Sequence, residues 1–250
     1  MKNEKLGFYV VEKYKFQFLS LKRKLKSREC SHGIFLFMNR EKVVAEILLK
    51  LNAVSLRTNP PFTWASGITS PIYTDNRLLI SFPNERETIV DAFVEMFGNE
   101  IGDVFGFAGT ATAGIPWASF LAQKLFKPMV FVRSSAKDHG KENLIEGKIE
   151  SGKNYVVVED LISTGGSSIN AINAVRNAGG IVEHCIAIFS YELPKAKENF
   201  ENANCKLHTL TNFTSLIETA MEMKYISPNE KEIILKWKEN PAEWRSGVME

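Results

Sequence analysis

An α/β fold, a parallel sheet flanked by helices with a small β-rich hood, is what this sequence predicts, on three observations. From Glu85 onward, apolar strand-like runs alternate with helix-like segments, the order that builds a parallel sheet covered on both faces. Loops at 108–114, 133–145 and 159–167 each follow such a run, so three candidate ligand loops fall on one edge, beyond the carboxyl ends of the strands. A short stretch around Phe62 to Ile80 is punctuated by Pro60-Pro61, Gly67 and Pro71 and reads as a flap of short strands over the main sheet.

The elements are expected in the following order. MNREKVVAEILLKLNAV, from Met38, forms an amphipathic first helix with Val43, Val44, Ile47, Leu48 and Leu51 on one face. After the flap come helix Glu85–Phe97, strand Asp103–Phe107, helix Ala113–Leu125 and strand Met129–Val132. A polar loop leads to strand Tyr155–Val158, helix Ser168–Ala178 and strand Ile181–Phe189, and Lys195 to Glu250 reads as helix, short strand and terminal helices. The expected organisation is therefore a non-core N-terminal extension at 1–37 and one domain at 38–250, with hood about 55–80, core about 85–215 and C-terminal helices about 212–245. The extension is rich in Lys and Arg interleaved with aromatics and lacks a signal-peptide pattern. It is read as an upstream translated segment, with Met38 as the biological start, or as a basic appendage.

Composition narrows the function classes. With 250 residues and 44% hydrophobic content the chain can bury a substantial core. A net charge of +2, from 31 bases and 29 acids, leaves no basic footprint for nucleic acid. Cys30, Cys185 and Cys205 are odd in number and lack metal-like spacing, so neither a disulfide framework nor a zinc site is expected, and a reducing cytoplasm is. No apolar run approaches the roughly 18 residues of a membrane span.

The richest stretch is VVVEDLISTGGSS at 156–168. Val156 to Val158 reads as a buried central strand. Ser163, Thr164, Gly165, Gly166 and Ser167 then offer hydroxyls and open backbone N–H groups before a helix, where the dipole attracts a phosphate. Glu159 and Asp160 would face something neutral or cationic: ribose hydroxyls, or Mg²⁺ on a polyphosphate. Neither the GxxxxGK[ST] nor the GxGxxG spacing is present.

This segment resembles the phosphoribosyl diphosphate (PRPP) signature of the type I phosphoribosyltransferases. PFTWASGITSPIYTDNR at 61–77 and VRSSAKDHGKENLIEG at 132–147 are similar to the base-binding segment and the mobile catalytic loop of the orotate phosphoribosyltransferase family, and AGTATAGIP at 108–116 to its diphosphate loop. The resemblance runs from about Met38 to the C-terminus and implies the type I phosphoribosyltransferase fold, transfer from PRPP to orotate in pyrimidine biosynthesis, Mg²⁺ carried mainly by PRPP, and a homodimer whose catalytic loop is shared across the interface. It assigns PRPP to Arg133, Lys137, His139, Glu159, Asp160, Leu161, Ile162, Ser163, Thr164, Gly165, Gly166 and Ser167. Lys137, His139 and Asp160 are its catalytic residues, Gly109, Thr110 and Ala111 its diphosphate loop, and Ser163 an orotate contact. Nucleic acid and membrane are not expected as partners.

The chemistry agrees with these residue types. Breaking the anomeric bond of PRPP passes through an oxocarbenium-like transition state, and the departing diphosphate gains charge that cations and N–H donors must meet. Arg77 is the candidate for the orotate carboxylate because its planar fork matches one bidentately. Phe62, Trp64 and Tyr73 stack on the base or fill the flap, packing being the favoured role for any one of them. Ala65 and Ser134 stand where many family members carry lysine, and Ser190-Tyr191 where one branch carries an orotate-binding arginine.

Overall fold

The computed structural model describes residues 32–64, 67, 69–135, 144–241 and 243–244, with side chains from Arg40 onward. The chain divides into two compact units, Met1–Arg40 and Glu41–Glu250. Of the first, the described backbone is helical. Helix α1 is His32–Lys50, so helical structure begins before Met38. In the second unit its buried positions are Val44, Ala45, Leu48 and Leu49. Val43, Ile47 and Leu51 are only half-buried, so the core-facing stripe is rotated from the one expected.

The hood is two small antiparallel sheets. Strand β1 (Val54–Leu56) pairs with β4 (Ile72–Thr74), and β2 (Phe62–Thr63) with β3 (Thr69–Ser70). Its last part is a 3₁₀ helix, Asn76–Ser81, where short strands were expected. The Asp75 carboxylate accepts the Arg77 N–H at its start, the side-chain capping that lets Asp compete with strand pairing.

The main sheet has six strands, β5 (Gly106–Thr110), β6 (Met129–Val132), β7 (Ile145–Glu146), β8 (Asn154–Ile162), β9 (Ile181–Ser190) and β10 (Lys206–Asn212), in the order β10-β9-β8-β5-β6-β7. All pair in parallel except the edge strand β7, which is antiparallel to β6. Helices α2 (Pro83–Met96), α3 (Gly114–Leu125), α4 (Gly166–Asn177), α5 (Pro194–Asn202), α6 (Phe213–Glu222) and α7 (Pro228–Glu239) complete the described regular elements, with a π turn at Phe97–Ile101 after α2. One core layer packs Val157, Val182, Cys185 and Ala187 of the sheet with Ala171, Ile172 and Val175 of α4 and Phe200 of α5. From β5 the chain runs outward through β6, and from β8 it runs the other way through β9 and β10. The order thus reverses between β5 and β8, which opens a crevice at their carboxyl ends.

Two strands differ from expectation by more than a residue at an end. Strand β5 was expected at Asp103–Phe107 and lies at Gly106–Thr110, all five residues buried. Ala108, Gly109 and Thr110 read as loop because they are small, yet small size is what lets α3 approach: a Cβ on Gly109 would lie 2.9 Å from the Ile115 Cα. Strand β8 continues past Val158 to Ile162. Both acids therefore sit inside it.

Candidate active site

Near the end of β8 the side chains of Glu159 and Asp160, neighbours in sequence, also interact with each other. Glu159 points toward α4, where Oε2 accepts from Ser167 Oγ at 3.4 Å and Oε1 from the Asp160 N–H at 3.1 Å. The Asp160 carbonyl accepts from Asn76 Nδ2 of the hood at 2.8 Å. Both carboxylates are buried, 5% and 8% exposed. Burial first, and then the neighbouring Asp160 charge, push Glu159 up to about 9; burial also raises Asp160. Desolvation disfavours the charged form, so the pair asks for a ligand that donates hydrogen bonds or brings positive charge.

The shift has a consequence for stability. The folded chain keeps a proton on Glu159 that the unfolded chain loses above the ordinary value of 4.5, so this group withdraws stability as pH rises from there to about 9. Glu159→Gln should therefore melt above the parent at about pH 8.5, with the gap closing toward about pH 5. Parallel melting curves across that range would show that Glu159 is ionised in the apo chain.

The segment after β8 forms a cradle. Gly165 has φ +79° and opens α4 with no side chain capping it, so the first-turn N–H groups are left for a ligand. A Cβ there would lie 2.8 Å from the Phe200 ring. Asn199 Nδ2 of α5 holds the Thr164 carbonyl at 2.9 Å. The structure thus brings Ser163, Thr164, Gly165, Gly166 and Ser167 together at one helix start. Leu161 and Ile162 are strand residues, Ile162 buried in the core.

The second loop begins inside a strand. Gly109 and Thr110 belong to β5, paired with Phe131 and Val132, and the Ala111 N–H donates to the Val132 carbonyl at 2.8 Å. The backbone of Gly109–Ala111 is therefore largely committed to the sheet. The turn proper is Ala111–Ala113, with a cis Ala111–Thr112 peptide, leading into α3, whose first turn has no side-chain cap. The Thr110 hydroxyl is buried with no hydrogen-bond partner among the described residues.

Arg133 directly follows β6, and the β6–β7 pairing, with the Arg133 N–H donating to the Leu144 carbonyl at 2.8 Å, ties the two ends of the third loop together. Its Nη1 lies 3.9 Å from Glu146 Oε1. Lys137 and His139 lie outside the described residues, as do Ala65 and Ser66. Arg77 is forked on Asp75, Nε–Oδ1 2.6 Å and Nη2–Oδ2 3.0 Å, with its side chain 64% exposed. Its charge nonetheless reaches Asp160 and opposes the rise caused by burial there. Trp64 packs on Tyr191 and Trp237, ring centroids 5.4 and 5.6 Å away. Phe62 and Tyr73 stack on each other at 5.7 Å. Sequence reasoning missed Asn76, fully buried against β8, although it is the central residue of the Asp-Asn-Arg motif. It also missed Asn199, for which no local signal exists.

Crevice, acid pair and uncapped helix start together define a protein built to hold a phosphorylated ribose, a phosphoribosyltransferase. A model of the phosphoribosyl transferase domain matches residues 93–220. An orotate phosphoribosyltransferase of Listeria monocytogenes serotype 4b is 51% identical over 207 residues, 83% of this chain and 99% of that protein. Its Coxiella burnetii counterpart is 47% identical over 208 residues, 83% of this chain and all of that protein. The crystal structure of the Aeropyrum pernix orotate phosphoribosyltransferase superposes with a TM-score of 0.65 at 29% identity, covering 74% of this chain and 99% of that one. The chain belongs to the orotate phosphoribosyltransferase family, pentosyltransferases that make orotidine 5′-phosphate and diphosphate from orotate and PRPP. The fold is that of the type I phosphoribosyltransferases.

Proposed function

We propose that this chain carries out orotate phosphoribosyl transfer with the following division of labour. The first-turn N–H groups of α4 and the hydroxyls of Thr164 and Ser167 hold the 5′-phosphate. Asp160 receives a ribose hydroxyl and faces the cationic anomeric carbon, while Glu159 braces the cradle through Ser167 and completes the ribose side. Arg133, with Lys137 and His139, meets the charge that develops on diphosphate. Ser163 and Arg77 receive orotate, Arg77 exchanging its Asp75 partner for the orotate carboxylate. The observation that carries this reading is the buried acid pair beside an uncapped helix start. It joins a cation-seeking and an anion-seeking group at one strand end.

Mg²⁺ fits this donor set as a companion of PRPP. No group of three or more His, Cys, Asp or Glu able to hold a metal occurs among the described residues, whereas Mg²⁺ bound to a polyphosphate needs only one or two protein carboxylates. Asp160, with Glu159 beside it, would supply them, and bound Mg²⁺ would offset the diphosphate charge. The working unit is a homodimer in which the 132–147 loop, with Arg133, Lys137 and His139, serves the partner's site, and the location is cytoplasmic. No helix among the described residues is long and apolar enough to cross a membrane. The catalytic domain is 38–250, a reading supported by the 207 aligned residues that cover nearly all of the listerial enzyme.

Orotate consumption, followed by its ultraviolet absorbance with PRPP and Mg²⁺, tests the assignment of the base site. Arg77→Ala should raise the orotate KM by about tenfold or more, the order expected for losing a charged hydrogen bond, and leave the PRPP KM nearly unchanged. Equal rises in both would remove Arg77 from the base pocket.

A further inference from the structure

Hood segment 72–77 meets the sheet through two hydrogen bonds between residues far apart in sequence. Asn76 Nδ2 reaches the Asp160 carbonyl, and the Tyr191 hydroxyl donates to Thr74 Oγ1 at 2.9 Å. Tyr191 is fixed from every other side. Its N–H donates to the Ile162 carbonyl at 3.0 Å, which ties the end of β9 to the end of β8. Its ring is packed by Trp64 of the hood, Phe189 of β9 and Trp237 of α7, at 5.4, 5.3 and 5.9 Å. Glu192 follows it with φ +55°, accepting the Thr214 N–H at 3.0 Å and Lys238 Nζ at 2.6 Å. The phenol is thus a rigid, buried post with one polar tip, and that tip touches the residue before Asp75. Ring packing alone would be served equally by Phe. The hydroxyl adds a direction, because a buried O–H must keep its partner.

We propose that Tyr191 is a positioning residue for the base pocket: through Thr74 its hydroxyl sets where the Thr74–Arg77 segment stands beside Asp160. The inference deepens the reading that this segment receives orotate and rests on it.

A double-mutant cycle in steady-state kinetics tests it, with thermal melting alongside. Tyr191→Phe and Thr74→Val should each raise the orotate KM by about fivefold, the fold-change matching one lost hydrogen bond, with the PRPP KM within about twofold. The double variant should be no worse than either single one, and Thr74→Ser, which keeps the acceptor, should behave as the parent. An unchanged orotate KM in Tyr191→Phe, equal rises in both KM values, or additive effects would overturn the proposal. Should Tyr191→Phe fold poorly, Thr74→Val against Thr74→Ser carries the same test on a half-buried residue. Failure of the base-site reading shows separately, as an unselective Arg77→Ala with the Tyr191–Thr74 coupling intact.

Discussion

Asp160→Asn should lower kcat/KM for orotate transfer by about 10²–10³, the loss typical of removing one preorganised electrostatic contact to a developing charge, while leaving the fold intact. The amide is nearly isosteric with the carboxyl. The backbone bonds that seat the residue, Asp160 N–H to Glu159 and Asp160 carbonyl from Asn76, do not involve its side chain. Burial already penalises its charge, so the neutral variant should melt at or above the parent temperature. In the proposed role, what disappears is the negative charge facing the anomeric carbon and the charge-assisted bond to a ribose hydroxyl. Kinetics and melting curves measured on the same preparation check both halves. A loss of less than about tenfold would take Asp160 out of the reacting centre.

Of the described glycines, Gly114 should tolerate an added methyl group least. A Cβ on Gly114 would lie 2.2 Å from the Val158 carbonyl oxygen and 3.2 Å from the Glu159 Cα. The obstacle is backbone of the central strand, which cannot swing aside as a side chain could. Overpacking of this kind costs about 3 kcal/mol or more, and at roughly 2–4 °C per kcal/mol for a chain of this size the melting temperature of Gly114→Ala should fall by about 10 °C. Because the displaced carbonyl directly precedes the acid pair, activity should fall along with stability. Gly98→Ala, which meets nothing within 4 Å, is the control and should stay within about 0.5 kcal/mol of the parent. A melting temperature for Gly114→Ala equal to that control would show that α3 does not press on β8.

Both predictions turn on contacts that the sequence indicates only in part. VVVEDLISTGGSS made its chemistry legible at once, because a β-branched run, two acids and a small polar turn are local properties of consecutive residues. The alternation of strands and helices was legible for the same reason, and Met129–Val132 and the start of β9 stand where periodicity put them. Small residues misled. Ala108–Thr110 has the composition of a loop, yet it lies in a strand because a helix must pass close above it. Of the three cationic or donor residues expected to meet diphosphate, Arg133 is described and Lys137 and His139 are not.

By itself, then, the sequence determined the class of fold, the strand-end location of the ligand loops and the ribose-phosphate chemistry, since each follows from hydrophobic period and from residue types adjacent along the chain. Only the tertiary structure decided that Glu159 accepts from Ser167 while the Asp160 carbonyl accepts from the hood, that Ala111 gives its N–H to β6, and that Asn76 and Thr74 meet Asp160 and Tyr191 across 84 and 117 residues of chain. The reason is physical: register and packing select which distant groups share a hydrogen bond, and no pattern within one segment records the partner that another segment will bring.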